Sequence, residues 1–259
     1  MKRDRKRADE LLLAQGAARS RSQAQALILA GEVSASGRAV TKAGELWPAE
    51  AVFTVTPRRR FVSRGGLKLE GALADLGLDP AGLAVLDVGA STGGFTDCLL
   101  QHGAARVTAV DVGRHLLDPR LAADERVTVV DGLNARRLGE AGPAGGFDLA
   151  VLDVSFISLE LVLPPAAGLV RPGGHLLALV KPQFEVGRTR VGKKGVVRNQ
   201  ADIDAAVEKI SALGPALGPP RRAVGRAPSR LTGPKGNREV FVLFESCPDP
   251  DGAGPKLET

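Results

Sequence analysis

The chain has 259 residues, enough for one mid-sized domain and a small one, and its 44% hydrophobic and 25% charged residues are those of an ordinary globular protein. Two cysteines without a CxxC spacing exclude a disulfide framework, three scattered histidines argue against a zinc enzyme, and no apolar run reaches the roughly 18 residues of a membrane span. The net charge of +6 is unevenly held: residues 1–68 carry 14 lysines and arginines against 6 acids, while the rest carries 21 against 23, so a polyanion partner is expected for the N-terminal quarter.

The basic start, Met1 to Glu10, lacks the apolar stretch of a secretory signal, so a cytoplasmic location is expected. Asp9 can cap a helix over 10–16, which Gly16 stops. Ser20 or Ser22 opens a second helix with Ala24, Leu27 and Ile28 on its apolar face and Gly31 at its end. Short strands follow at 32–34, 39–40 and 51–56, with a turn at Ser36-Gly37-Arg38. The stretches 7–12, 20–33 and 40–44 resemble an S4 domain, an RNA-binding α+β module. That resemblance implies RNA contacts for Arg7, Arg19, Arg21 and Lys42. The run Arg58-Arg59-Arg60 reads as part of a linker over 57–63, giving domains at 1–60 and 61–247.

From residue 64 onward, short apolar runs alternate with amphipathic stretches. Strands are predicted at 84–88, 106–111, 127–130, 149–153, 175–180, 222–224 and 240–245, and helices at 95–102, 159–169 and 200–213. Pro172-Gly173-Gly174 reads as a tight turn into a strand. The alternation predicts an α/β fold with a doubly wound, mainly parallel sheet. Residues 248–259, rich in Pro, Gly and acid, are expected to be a disordered tail.

The first of these strands runs into Asp87-Val88-Gly89-Ala90-Ser91-Thr92-Gly93-Gly94-Phe95, a strand, glycine turn and helix start suited to a nucleotide. It has neither the GxGxxG of a dinucleotide site nor the GxxxxGK[ST] of a P-loop. The second strand ends at Asp111, where a carboxylate can accept both hydroxyls of a ribose, and the third at Asp131, which could meet an adenine edge. Three acidic strand ends with this loop fit an adenosyl ligand without phosphates, and S-adenosyl-L-methionine is one. The expected cofactor set is Asp87, Gly89, Ala90, Ser91, Gly93, Gly94, Phe95, Asp111 and Asp131, with no metal.

This loop resembles that of FtsJ-type ribose methyltransferases. Together with Ser63-Arg64-Gly65-Gly66-Leu67-Lys68-Leu69, Asp153-Val154-Ser155-Phe156-Ile157-Ser158-Leu159, the segment 181–188 from Lys181-Pro182-Gln183 to Arg188, and 233–239 ending in Asn237-Arg238-Glu239, it is similar to the TlyA (hemolysin A) family. The resemblance implies a Rossmann-like class I SAM-dependent methyltransferase domain behind the S4 domain, acting as a 2′-O-methyltransferase on cytidine in ribosomal RNA. Ribosomal RNA or ribosomal subunits are then the partners, a monomer is expected, and no membrane is involved.

Residue chemistry narrows the acceptor. Asp153-Val154-Ser155-Phe156 lacks the prolines of an amino-methylating clamp, and neither Cys98 nor Cys247 stands where a carbon-5 nucleophile is needed, which leaves an oxygen. The FtsJ resemblance implies a Lys-Asp-Lys-Glu tetrad, here Lys68, Asp153, Lys181 and Glu239. Lys181 is then the proton acceptor, helped to shed its own proton by the Lys68 cation and partial desolvation, while Asp153 and Glu239 hold the two amines. Arg64 and the basic loop of Arg188, Arg190, Lys193, Lys194 and Arg198 are further RNA candidates. With 8 Phe, 1 Trp and no Tyr, base stacking is expected to be a small contribution. Two alternatives stand beside this reading: a membrane-active cytolysin, from the family's older name, and an RNA-binding ribosome-assembly factor without catalysis.

Overall fold

The structure is a computed structural model and describes residues 5–29, 31–55, 60–233 and 235–247. The expected tail at 248–259 and the linker residues Pro57, Arg58 and Arg59 lie outside the described residues. Chain contacts divide the protein into two compact units, the first ending at Arg60 and the second starting at Phe61.

In the first unit, β1 (Arg5–Arg7) leads directly into α1 (Ala8–Ala14), followed by α2 (Arg21–Leu29), β2 (Val33–Ala35), β3 (Arg38–Ala39), β4 (Leu46–Pro48) and β5 (Phe53–Val55). β1 pairs with β4, and β2 stands between β3 and β5, all antiparallel. Ala8, Leu11, Leu12, Ala24, Ile28, Trp47 and Phe53 form its core. Ser20 Oγ accepts the Gln23 N–H at 3.2 Å at the start of α2, as a helix cap does. Asp9 departs from the expected role. Arg7 occupies the cap position of α1, and Asp9 lies inside the first turn, fully buried, where it binds Arg7, Arg21 and Gln25. Two arginines outcompete the backbone for its carboxylate.

The second unit holds α3 (Arg64–Leu76), β6 (Ala84–Val88), α4 (Gly94–Gln101), β7 (Arg106–Asp111), α5 (Pro119–Ala122), β8 (Val127–Asp131), α6 (Leu138–Ala141), β9 (Phe147–Leu152), α7 (Leu163–Ala167), β10 (Val170–Val180), α8 (Pro182–Glu185), α9 (Gln200–Ser211), β11 (Arg221–Pro228) and β12 (Val240–Ser246). The strands make one sheet in the order β11-β12-β10-β9-β6-β7-β8, parallel from β10 to β8, with β12 antiparallel to both of its neighbours, β10 and β11. Side chains alternate across it. Leu86, Val88, Ala150, Leu152, Ala178 and Val180 join the α7 and α9 residues Ala166, Ala167, Ala206 and Ile210 on one face. Val85, Val107, Leu149, Val151, Leu177 and Leu179 meet Leu69, Leu73, Phe95 and Leu99 of α3 and α4 on the other. Helices therefore cover both faces, as a parallel sheet requires.

Some boundaries differ from the sequence reading. The predicted helix over 159–169 is a 3₁₀ turn at Leu159–Leu161 followed by α7, because Pro164 and Pro165 supply no N–H to carry one continuous helix. Pro172-Gly173-Gly174 lies within β10 as an irregularity in its pairing with β9, between Val170 and His175, rather than ahead of the strand. α3 was not among the predicted helices. Its start, Arg64-Gly65-Gly66, has poor helix propensity. Ser63 Oγ compensates by accepting the Gly65 N–H at 3.2 Å.

Candidate active site

Chain order reverses between β6 and β9: the chain runs outward through β7 and β8, then returns to β6's other side. Ligands of such sheets sit beyond the strand carboxyl ends at this reversal. Gly89 and Asp153 are the next residues past the paired Val88 and Leu152. A Cβ on Gly89 would stand 2.7 Å from the Asp153 carbonyl oxygen, and the backbone there has φ +85°, so only glycine fits. Ser91, with φ +49°, holds a left-handed conformation that costs a serine energy, an expense usually seen at working sites.

Above this edge opens a cleft of about 590 Å³, lined in part by Gly89, Ser91, Asp111, Asp153, Ser155 and Phe156. Asp111 Oδ2 accepts the Ser91 N–H at 2.8 Å and Oδ1 the Gly113 N–H at 2.7 Å, so the carboxylate is fixed while each oxygen keeps a second lone pair. Val112, Leu116, Leu133 and Asn134 complete an apolar end with one amide. An acid, a glycine turn and an apolar slot fit an adenosyl group.

The other expected cofactor residues support the cleft rather than line it. Ala90 and Gly93 belong to the turn into α4, and Gly94 and Phe95 open the helix itself. Asp131 Oδ2 accepts the His115 N–H at 2.8 Å, which anchors that loop, and the neighbouring Leu133 and Asn134 reach the cleft instead. Asp87 is fully enclosed. Its Oδ2 accepts the Thr96 hydroxyl at 2.6 Å and its Oδ1 has no partner. Burial, reinforced by the Asp153 and Asp111 charges and opposed by the Thr96 hydroxyl, pushes this carboxyl up to about 7. Sequence reasoning missed Val112, Leu133 and Asn134, which carry no motif of their own, and gave Ser155 no role within its motif.

The four tetrad positions meet at the same edge. Lys181 and Glu239 are the next residues beyond the paired Val180 and Val240 of β10 and β12, and Asp153 directly follows the neighbouring β9. Lys68 Nζ, from α3, lies 2.5 Å from Glu239 Oε2, both side chains being buried. Lys181 Nζ lies 2.6 Å from Asp153 Oδ1 as an ion pair, and directs an N–H at Ser155 Oγ, 2.8 Å away.

Phe156 follows at φ +65° and is 92% exposed, with its ring centroid 5.4 Å from that of Phe184. It borders both the first cleft and a second of about 650 Å³ that also touches Gln183, Arg188 and Lys193. A third cleft of about 420 Å³ is lined by Arg190, Lys193, Lys194 and Arg198. Arg190 is partly engaged by Asp202 at 3.1 Å. Arg64 lies at the exposed start of α3, donating to the Thr232 carbonyl at 3.3 Å. In the first unit, Arg19, Arg21 and Lys42 are exposed and Arg7 is half-buried.

The FtsJ-like methyltransferase family model matches residues 61–246. Over 247 residues the chain is 43% identical to the 16S/23S rRNA (cytidine-2′-O)-methyltransferase TlyA of Mycobacterium tuberculosis, which spans 95% of this chain and 91% of that protein. It is 38% identical over 244 residues to Hemolysin A of Brachyspira hyodysenteriae, covering 92% and 99%. A solved structure from Streptococcus thermophilus that goes by the name hemolysin superposes with a TM-score of 0.68 at 38% identity, covering 94% of this chain and 89% of that one.

Proposed function

Because the chain belongs to the FtsJ-like methyltransferases, among their TlyA members, we propose that it methylates the ribose 2′-oxygen of a cytidine in ribosomal RNA, using S-adenosyl-L-methionine. The observation that carries this reading is the seat of Lys181: its amine is held by Asp153 and Ser155, two residues that line the cleft. When bound, the cofactor supplies an electrophilic methyl group on a sulfonium. Gly89, Ser91, Asp111, Leu133 and Asn134 would hold it.

The residues of the chain then have separate tasks. Lys181 Nζ, once it has given up its own proton and is a neutral amine, takes the proton of the 2′-hydroxyl, which is too weak a nucleophile unaided. Asp153 fixes that amine and places negative charge beside the cleft. The buried Lys68–Glu239 pair positions the neighbouring strand end and keeps a cation close to Lys181. Phe156 offers a face on which the target base can stack. Arg188, Arg190, Lys193, Lys194 and Arg198 attract the RNA backbone at the same end, and we assign the first unit to RNA binding as an S4-like module through Arg7, Arg19, Arg21 and Lys42. The hemolysin names belong to relatives, and among the described residues no helix is long and apolar enough to cross a membrane. The test is mass mapping of ribose methylation after incubating purified ribosomal subunits with the protein and cofactor. New 2′-O-methylcytidine is expected with the wild type, and none with Lys181→Ala. Methylation at a base atom would overturn the reading.

A further inference from the structure

Ser155 lies within the Asp153–Leu159 motif with no separate task in the reading above, yet it joins the buried amine to the cleft. Lys181 is only 8% exposed and is absent from the cleft wall, whereas Ser155 is exposed and lines it. The bond from Lys181 Nζ to Ser155 Oγ is 2.8 Å and directional, while the 2.6 Å approach to Asp153 Oδ1 is a charge contact without hydrogen-bond alignment. A charge contact sets distance but not rotation about the final side-chain bond. A directional bond sets rotation.

We propose that Ser155 is a positioning residue: its hydroxyl oxygen fixes the rotation of the Lys181 amine so that the remaining tetrahedral direction faces the acceptor oxygen. The proposal rests on Lys181 as the base. An amine nitrogen has three directions besides its carbon. Ser155 takes one by a directional bond, the Asp153 charge stands 2.6 Å away without claiming a direction, and a direction is left for the ribose hydroxyl. A lysine carries much rotamer freedom, so an unanchored amine would spend most of its time in unproductive orientations. Ser155 gains and loses no proton. It accepts from Lys181, and its own O–H remains available to a polar group in the cleft.

The experiment is single-turnover methylation of purified ribosomal subunits by the full chain, with cofactor affinity from calorimetry and RNA affinity from filter binding. Ser155→Ala is expected to lower the methylation rate about tenfold, with both affinities within about twofold of wild type. Ser155→Thr, which keeps the hydroxyl at an exposed position, is expected to recover most of the rate. An Ala variant as fast as the wild type overturns the proposal, as does a Thr variant as slow as Ala. A slow Ala variant whose cofactor affinity falls in proportion also overturns it, since Ser155 would then be a cofactor contact. Lys181→Ala is run alongside. If that variant stays active, the assignment of the base fails; if it is inactive while Ser155→Ala is fast, only the positioning role fails.

Discussion

Lys68 Nζ and Glu239 Oε2 stand 2.5 Å apart across 171 residues of sequence, with both side chains removed from water. The pair ties α3 to the start of β12. Breaking it from one side leaves a buried unpaired charge, which costs about 3–5 kcal/mol. Lys68→Met is therefore expected to lower the melting temperature by roughly 6–20 °C for a domain of this size. Adding Glu239→Gln should recover part of that loss, because the orphaned charge is gone. Calorimetric melting of both single variants and the double variant checks this; equal melting of single and double variants would contradict it. Methylation should be lost in all three.

Asp87 makes stability depend on pH in the unusual direction. Its carboxyl is pushed from 3.8 to about 7 by burial. Between those values the unfolded chain has released its proton while the folded one retains it. Stability from this group is thus fully present below about pH 4 and is lost as pH rises toward 7. Asp87→Asn removes the titration. Relative to that variant, the wild type should lose as much as ~4 kcal/mol between pH 4 and 7, then change no further. Melting curves of the two proteins over pH 4–8 test this, and parallel curves would refute it.

Phe156 separates activity from stability. An exposed phenylalanine at φ +65° contributes little burial and holds a strained backbone. Phe156→Gly should leave stability unchanged or raise it by up to ~1 kcal/mol, since glycine accepts that conformation. The same variant should lower RNA methylation by more than tenfold, with cofactor affinity little affected. Denaturant titration and methylation assays on one preparation measure both. Unchanged methylation would remove the ring from the acceptor site.

The central strands of the second unit were legible because they are short apolar runs with a polar residue at or just past the end, such as Asp111, Asp153 and Lys181. The spans at Ala84–Val88 and Arg106–Asp111 coincide with the sequence reading. The cleft was legible only where glycines and acids mark it. Asp111 announces itself by its place at a strand end, but Val112 and Leu133 look like any loop hydrophobe, and only the returning chain shows that they share a wall. Asp131 has a second task that the sequence does not show. An acid at a strand end serves equally well to tie a loop, and here the His115 N–H takes it. Ser155 lay inside a recognised motif without a role, since its bond to Lys181 joins residues 26 positions apart. Propensity argued against α3, whose formation depends on the Ser63 cap and on burial of Leu69, Ala72 and Leu73.

Asp9 offers a test in the first unit in which two electrostatic arguments give opposite signs. Its buried carboxylate accepts from Arg7 Nε at 2.9 Å, Arg21 Nε at 3.1 Å and Gln25 Nε2 at 3.0 Å. The Arg7 guanidinium holds this carboxyl well below the usual range, so the arrangement persists at any pH above the ordinary carboxylate region. Asp9→Asn removes one negative charge. If net charge alone governed RNA binding, the variant would bind more tightly. If Asp9 instead orients Arg7 and Arg21 toward phosphates, releasing both arginines should weaken binding several-fold despite the added charge. Affinity for ribosomal RNA, measured by filter binding across a salt series, distinguishes the two. The expected outcome is weaker binding with the steep salt slope retained, because the number of cations is unchanged. Tighter binding at every salt concentration would show that Asp9 holds the fold of the unit without aiming its arginines.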